Sequence, residues 1–171
     1  MNATQMMQAI PLLVGSEHDD EGRLVSLVYD SAPPLPLPTV NPWLVAVDGS
    51  DNALRAVAHA ARQASTMSAC ALHLVHVQHW MSKEAAAAEL APRALDATAS
   101  ARATLNAAGL PWRLHVALGD PAEHINACAE RLDATGIIIG SRGLNVVENL
   151  LFGSVAYKVL HLSTIPVTVV P

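Results

Sequence analysis

The residues with the clearest chemical potential lie near the C-terminal end: Gly140-Ser141-Arg142-Gly143, then nine residues, then Gly153-Ser154-Val155. Gly140 and Gly143 permit positive φ and close backbone approach, so the N–H groups of such a loop can converge on an anion. Gly153-Ser154 adds a hydroxyl and the unpaired N–H groups of a helix start. Together these groups outline a phosphate cradle. Glycines also serve simply to turn a strand into a helix, and Arg142 either neutralises phosphate charge or points to solvent. A second polar centre is Asp48 in Val47-Asp48-Gly49-Ser50. An acid there suits ribose hydroxyls or an adenine amine, or caps the helix that follows.

Other chemistries lack their residues. The chain has no Gly-x-x-x-x-Gly-Lys-Ser/Thr loop and no Ser-Gly-Gly-x-Asp-Ser pyrophosphate loop. No Ser, His and Asp set is fixed in space by the spacing, and no general base is aimed at the glycine loop, so no catalytic residue is expected. Of the eight histidines, His73, His76 and His79 fall along one strand and its exit. If the strand persists to His79, alternation puts His73 and His79 on one face and His76 on the other, which is poor clustering for a metal, and structural roles are expected. Cys70 and Cys128 stand far apart and read as core thiols in a reducing compartment.

The elements that must position the glycine loop are legible in the hydrophobic pattern. Trp43-Leu44-Val45-Ala46-Val47 is a continuous apolar run that ends at Asp48, the mark of a strand covered on both faces. Ser50 or Asp51 can cap a helix in which Leu54, Val57, Ala58 and Ala61 share one face. A strand over Ala71 to Val77 follows, then an alanine-rich helical stretch from Lys83 to Ala108 that Pro92 is expected to break and Gly109 to end. Next come a strand over Trp112 to Leu118, a helix capped by Asp120 with Pro121 at its first position, and a strand at Ile137-Ile138-Ile139. A last helix runs to about Leu162, and Ile165 to Val170 supply a fifth strand. Strands separated by helices imply right-handed parallel crossovers. The expected fold is α/β: a doubly wound five-stranded parallel sheet with helices on both faces. Its ligand would sit beyond the carboxyl ends of the strands where the winding reverses, with Asp48 and Gly140 side by side.

Composition bounds the partners. A chain of 171 residues with 51% hydrophobic residues can bury a core, and 4% aromatics means that the core is aliphatic. A formal charge of −5 with only two lysines, Lys83 and Lys158, leaves no basic face for nucleic acid. Nothing reads as a membrane span or an export signal, so a cytoplasmic location is expected. Residues 1–40 differ from the rest and end in Ser31-Ala32-Pro33-Pro34-Leu35-Pro36-Leu37-Pro38, read as a polyproline-like linker. Upstream, Ile10 to Val14 and Leu24 to Tyr29 are β-prone runs that could close a hairpin around Gly15 to Gly22. This divides the chain into an N-terminal extension, 1–40, and a nucleotide-binding domain, 41–171.

The Gly-x-x-Gly, nine residues, Gly-Ser pattern, set after a buried strand and before a helix and an Ile-Pro-Val-x-Val-Val strand, resembles the signature of the universal stress protein family. The resemblance runs from Trp43 to Val170 and includes Val47-Asp48-Gly49-Ser50 and His76-Val77. It implies a Rossmann-like domain of the adenine nucleotide alpha hydrolase-like type, in the ATP-binding branch. It also implies a site of Asp48, Val77, Ile139, Gly140, Arg142, Gly143, Gly153, Ser154 and Val155. The acid after the first strand would contact the nucleoside, Val77 would offer backbone groups to the adenine, and the loop would hold the phosphates, with Mg²⁺ entering through them. The expected protein is a nucleotide-dependent stress or signalling module that forms a homodimer through its C-terminal edge strand. A partner-binding dimer with a closed pocket, and a slow ATPase, are the alternatives. Typical single-domain members lack the extension.

Overall fold

The computed structural model describes residues 10–144 and 151–171. In chain order the elements are β1 (Leu12–His18), β2 (Leu24–Asp30), β3 (Pro42–Ala46), α1 (Asp51–Thr66), β4 (Ala71–Gln78) and α2 (Lys83–Ala97). They continue with α3 (Ala99–Ala107), β5 (Trp112–Leu118), α4 (Pro121–Arg131), β6 (Gly136–Gly140), α5 (Ser154–Leu162) and β7 (Val167–Val170). The strands form one sheet in the order β1-β2-β5-β4-β3-β6-β7. β5, β4, β3, β6 and β7 are parallel neighbours, the doubly wound core that the alternation of strand and helix patterns implies. The winding reverses between β3 and β6, because β4 follows β3 to one side while β6 and β7 build the other.

Alternation along the strands divides the core. Val45, Leu72, Leu74, Leu114 and Ile138 pack against α1, α2 and α3, whereas Leu44, Val75, Ile137 and Ile139 pack against α4 and α5. Helices therefore cover both faces, and the central strand residues Leu44, Val45, Leu74, Ile137 and Ile138 are completely buried.

The sheet has seven strands among the described residues rather than the five expected. The two N-terminal β-prone runs do form a hairpin, and β2 then pairs antiparallel with β5, from Ser26 opposite Ala117 to Asp30 opposite Arg113. The Arg113 guanidinium locks this junction with two bonds to the Asp30 carboxylate, at 2.7 and 2.8 Å. The reason is an edge: without β2, β5 would present an unpaired row of backbone groups. The Pro-rich stretch after β2 lies against the domain, with Leu35 buried and the Ser31 hydroxyl accepting from Trp112 N–H at 2.9 Å.

Pro92 does not break its helix. It lies on the exposed face of α2, as does Ala88, whose carbonyl would otherwise accept from residue 92. Ala86, Leu90 and Ala94 bury the opposite face and hold the helix together. The break falls instead at Thr98, whose hydroxyl donates to Ala94 O at 2.7 Å. Gly109 ends α3 as expected, in a left-handed conformation with φ 65°.

Candidate functional site

A cleft of about 300 Å³ opens at the carboxyl ends of β3, β4 and β6, where the winding reverses. Its wall includes Asp48, Val77, Ile139, Gly140, Arg142, Gly143, Gly153, Ser154 and Val155, so the fold brings together all nine residues singled out in the sequence.

Asp48 follows β3 and is steered by its own turn: Oδ1 accepts the Ser50 N–H at 2.9 Å, and Gly49 reverses the chain with φ 88°. The Ser50 hydroxyl in turn accepts from Ala53 N–H at 3.2 Å and caps α1. Capping thus falls to Ser50, which leaves the second carboxylate oxygen of Asp48 beside the loop. A Cβ on Gly143 would stand 2.6 Å from that oxygen, so only a glycine fits there without moving the carboxylate.

The other glycines serve close approach as well, and none of Gly140, Gly143 and Gly153 uses a positive φ. A Cβ on Gly140 would meet the backbone of Asn52 and Ala53 at 2.7 to 2.9 Å, because the first turn of α1 lies directly on this residue. Gly153 N–H donates to Ser141 O at 2.7 Å, and Ser141 N–H donates to Val170 O at 2.7 Å. These two bonds close the base of the glycine segment and tie it to β7. Gly153 is also the N-cap of α5 and offers no side-chain acceptor. The N–H groups of Ser154 and Val155 therefore lack an intrahelical partner at the positive end of the helix dipole, on the wall of the cleft.

Pattern reasoning missed part of the wall: His76, Gln78, His79, Ala97, Pro121 and Ile125 also line the cleft. His73 and His76 do lie on opposite faces of β4, but the strand ends at Gln78, so His79 lies beyond it and strand alternation does not place it. His76 is buried, its Nδ1–H donates to Val47 O at 2.7 Å, and its Nε2 accepts from the Gln78 amide at 2.8 Å. Burial pushes its pKa below the usual range, against the opposing pull of the Val47 carbonyl and Asp48. It is therefore a neutral imidazole that ties the carbonyl before Asp48 to the end of β4. The rule that ligands gather past strand ends would have drawn attention to this residue. Pro121 and Ile125 come from α4, whose position follows from packing on β4 and β3.

The arrangement combines a carboxylate beside the loop, helix-start N–H donors without an intrahelical partner, a guanidinium at Arg142 and an apolar wall of Val77, Ile125 and Ile139. Such a cleft can take a ligand with a flat apolar ring, hydroxyls for the carboxylate and an anionic end for the N–H groups. Among the described residues no group of three or more His, Cys, Asp or Glu side chains is disposed to hold a metal.

Comparison with known proteins agrees with this architecture. A family model described as the universal stress protein family matches residues 41–171. The universal stress protein YxiE of Bacillus subtilis is 28% identical over 147 residues, covering 76% of this chain and 98% of that protein. A solved universal stress protein from Archaeoglobus fulgidus superposes with a TM-score of 0.66 at 27% identity, over 77% of this chain and 99% of that one. A structure of the Archaeoglobus fulgidus universal stress protein in complex with dAMP gives 0.58 at 26% identity, over 77% and 98%. A universal stress protein in complex with cAMP gives 0.57 at 26%, over 77% and 97%.

Proposed function

Since the chain belongs to the universal stress protein family, we propose that it is a nucleotide-dependent stress or signalling protein that binds ATP in the cleft at the carboxyl ends of β3, β4 and β6. The observation that carries this reading is the junction of Asp48 with Gly143, where a missing Cβ keeps the carboxylate open beside the loop. Asp48 takes the ribose hydroxyls, Val77 and Ile139 flank the adenine, and the backbone of Gly140 to Gly143 with the start of α5 holds the phosphates. Arg142 supplies one positive charge there, and Mg²⁺ enters as the counter-ion of the phosphates. The relatives with dAMP and cAMP support an adenine nucleotide as the class of ligand.

The reading also includes a homodimer through β7, which pairs with β6 on one side only. It includes the cytoplasm as well, since both cysteines are free and burial pushes the Cys128 thiol up to about 11. No helix of the described residues is long and apolar enough to cross a membrane.

Isothermal titration of nucleotide-stripped protein with Mg-ATP, ADP, AMP and cAMP tests the site. Saturable binding that Gly143→Val abolishes is expected, because the larger side chain both fills the cradle and displaces Asp48. Absence of heat and of thermal shift with every adenine nucleotide overturns the reading and leaves a partner-binding dimer module.

A further inference from the structure

The N-terminal hairpin lies outside the residues matched by the family model, which begin at 41, yet its turn reaches the cleft's own loop. The turn is rigid. Asp19 Oδ1 accepts the N–H groups of Glu21 and Arg23 at 3.0 and 2.8 Å, and Gly22 N–H donates to Asp19 O at 2.8 Å with φ 75° at Gly22. Asp19 Oδ2 and Glu21 grip the Arg23 guanidinium at 3.1 and 3.2 Å. So held, that guanidinium lies 4.6 Å from the centre of the Trp80 ring. Lys83 Nζ then donates to Glu21 O at 2.9 Å.

These two contacts fall at Trp80 and Lys83, spanning residues 79–82, the segment between the end of β4 and the start of α2. His79 and Gln78, immediately before Trp80, are cleft wall, and Gln78 holds His76. Trp80 itself is 59% exposed and carries the guanidinium on its ring, while Met81 beside it packs against the core. A loop held at Trp80 and Lys83 by a turn built around one carboxylate, and at Met81 by the core, has few alternative positions, and a ligand wall that is already ordered loses less entropy on binding.

We infer that Arg23 is a positioning residue for the nucleotide cleft: through Trp80 it clamps the 79–82 loop, so the N-terminal hairpin sets nucleotide affinity without touching the ligand. The inference rests on the nucleotide reading above. It also gives the hairpin a use beyond covering the edge of β5, and it makes the turn a place where a bound partner would change the cleft.

The test titrates Mg-ATP into full-length wild type, Arg23→Met, Trp80→Leu and the double variant, with Arg23→Lys as the conservative control. Each single loss is expected to weaken binding about fivefold, the double variant no further than either single, and Arg23→Lys to retain most of the affinity. Non-additivity of this kind is a property of the contact, which general loss of stability does not produce. Amide exchange at Ala85 and Ala86, whose N–H groups donate to Ser82 Oγ and Ser82 O at 3.2 and 2.8 Å, followed without nucleotide, is expected to quicken in Arg23→Met while the β4 and β5 amides keep their protection. If wild type binds ATP and the variants match it, the clamp is refuted and the nucleotide reading stands. If wild type binds no nucleotide, that reading falls, and exchange decides the clamp alone: unchanged protection at Ala85 and Ala86 overturns it, and faster exchange upholds it.

Discussion

His73, which is buried, and His115, which is half-buried, are a pair that the cleft does not use. They sit on neighbouring strands, with His73 Nδ1 3.0 Å from His115 Nε2 and the rings stacked at 5.2 Å. Only one proton fits between those nitrogens, and both rings are neutral in the fold. Burial, with the Arg113 guanidinium adding to it, lowers the His73 pKa to about 4. Burial, His73, Arg131 and Arg113 lower that of His115 to about 3, and Asp30 opposes the shift at both. Released in the unfolded chain, each titrates near its usual value of about 6.5. Below that pH the unfolded state binds more protons than the native one, so their contribution to stability is complete above about 6.5 and is lost as the pH falls toward 4. Urea midpoints are expected to be level from pH 7 to 8 and to decline between pH 6.5 and 4. In His115→Gln part of that decline should vanish. A variant with the wild-type pH dependence would show that the pair does not govern it. Three histidines on one strand segment can be seen in the sequence, but the partner of His73 comes from a strand more than forty residues on, so the pairing cannot.

Two glycines in one motif differ in what they hold, and the difference belongs to the elements around them. Gly140 lies under the first turn of α1, with backbone atoms of Asn52 and Ala53 within 2.9 Å of any added Cβ. No rotamer can relieve that, so Gly140→Ala is expected to cost about 1–3 kcal/mol. Among the described residues Gly143 faces the carboxylate end of Asp48, which can swing aside, so Gly143→Ala should leave stability within about 0.5 kcal/mol of wild type while weakening nucleotide binding. Urea denaturation alongside titration separates the two, and equal losses of stability would contradict the distinction. Both glycines stand out in the sequence as a loop signal, but their separate duties depend on how α1 and the Asp48 turn pack. Pro92 makes the same point at helix scale. Local propensity favours a break at this residue, and burial of Ala86, Leu90 and Ala94 outweighs it.

Among the described residues the sheet has two open edges, β1 and β7. Ile137 N–H donates to Pro166 O and Ser141 N–H to Val170 O, so alternation turns the backbone groups of Val167 and Val169 away from β6 and toward any partner strand. Sedimentation velocity at micromolar concentration is expected to give a dimer that Val167→Pro weakens, since proline there removes an outward donor and spares the internal ladder. A dimer indifferent to that change would lie elsewhere, the exposed Leu12 and Leu13 of β1 being the other open edge. A wild-type monomer would refute the dimer outright.

By itself the sequence determined what short-range physics can carry. Continuous apolar runs mark doubly covered strands, i to i+4 patterns mark helix faces, and a glycine pattern of fixed spacing marks the loop and, with Asp48, the strand ends that must meet. Tertiary structure decided what depends on which distant surfaces touch. It moved β2 onto β5, took Pro92 through a helix, and brought His76, Pro121 and the Arg23 turn to the cleft or its loop. The physical reason is that hydrophobic periodicity specifies which side of an element is buried but carries little information about its neighbour. The neighbour follows from edge pairing, volume and charge, which are settled only when the whole chain has closed.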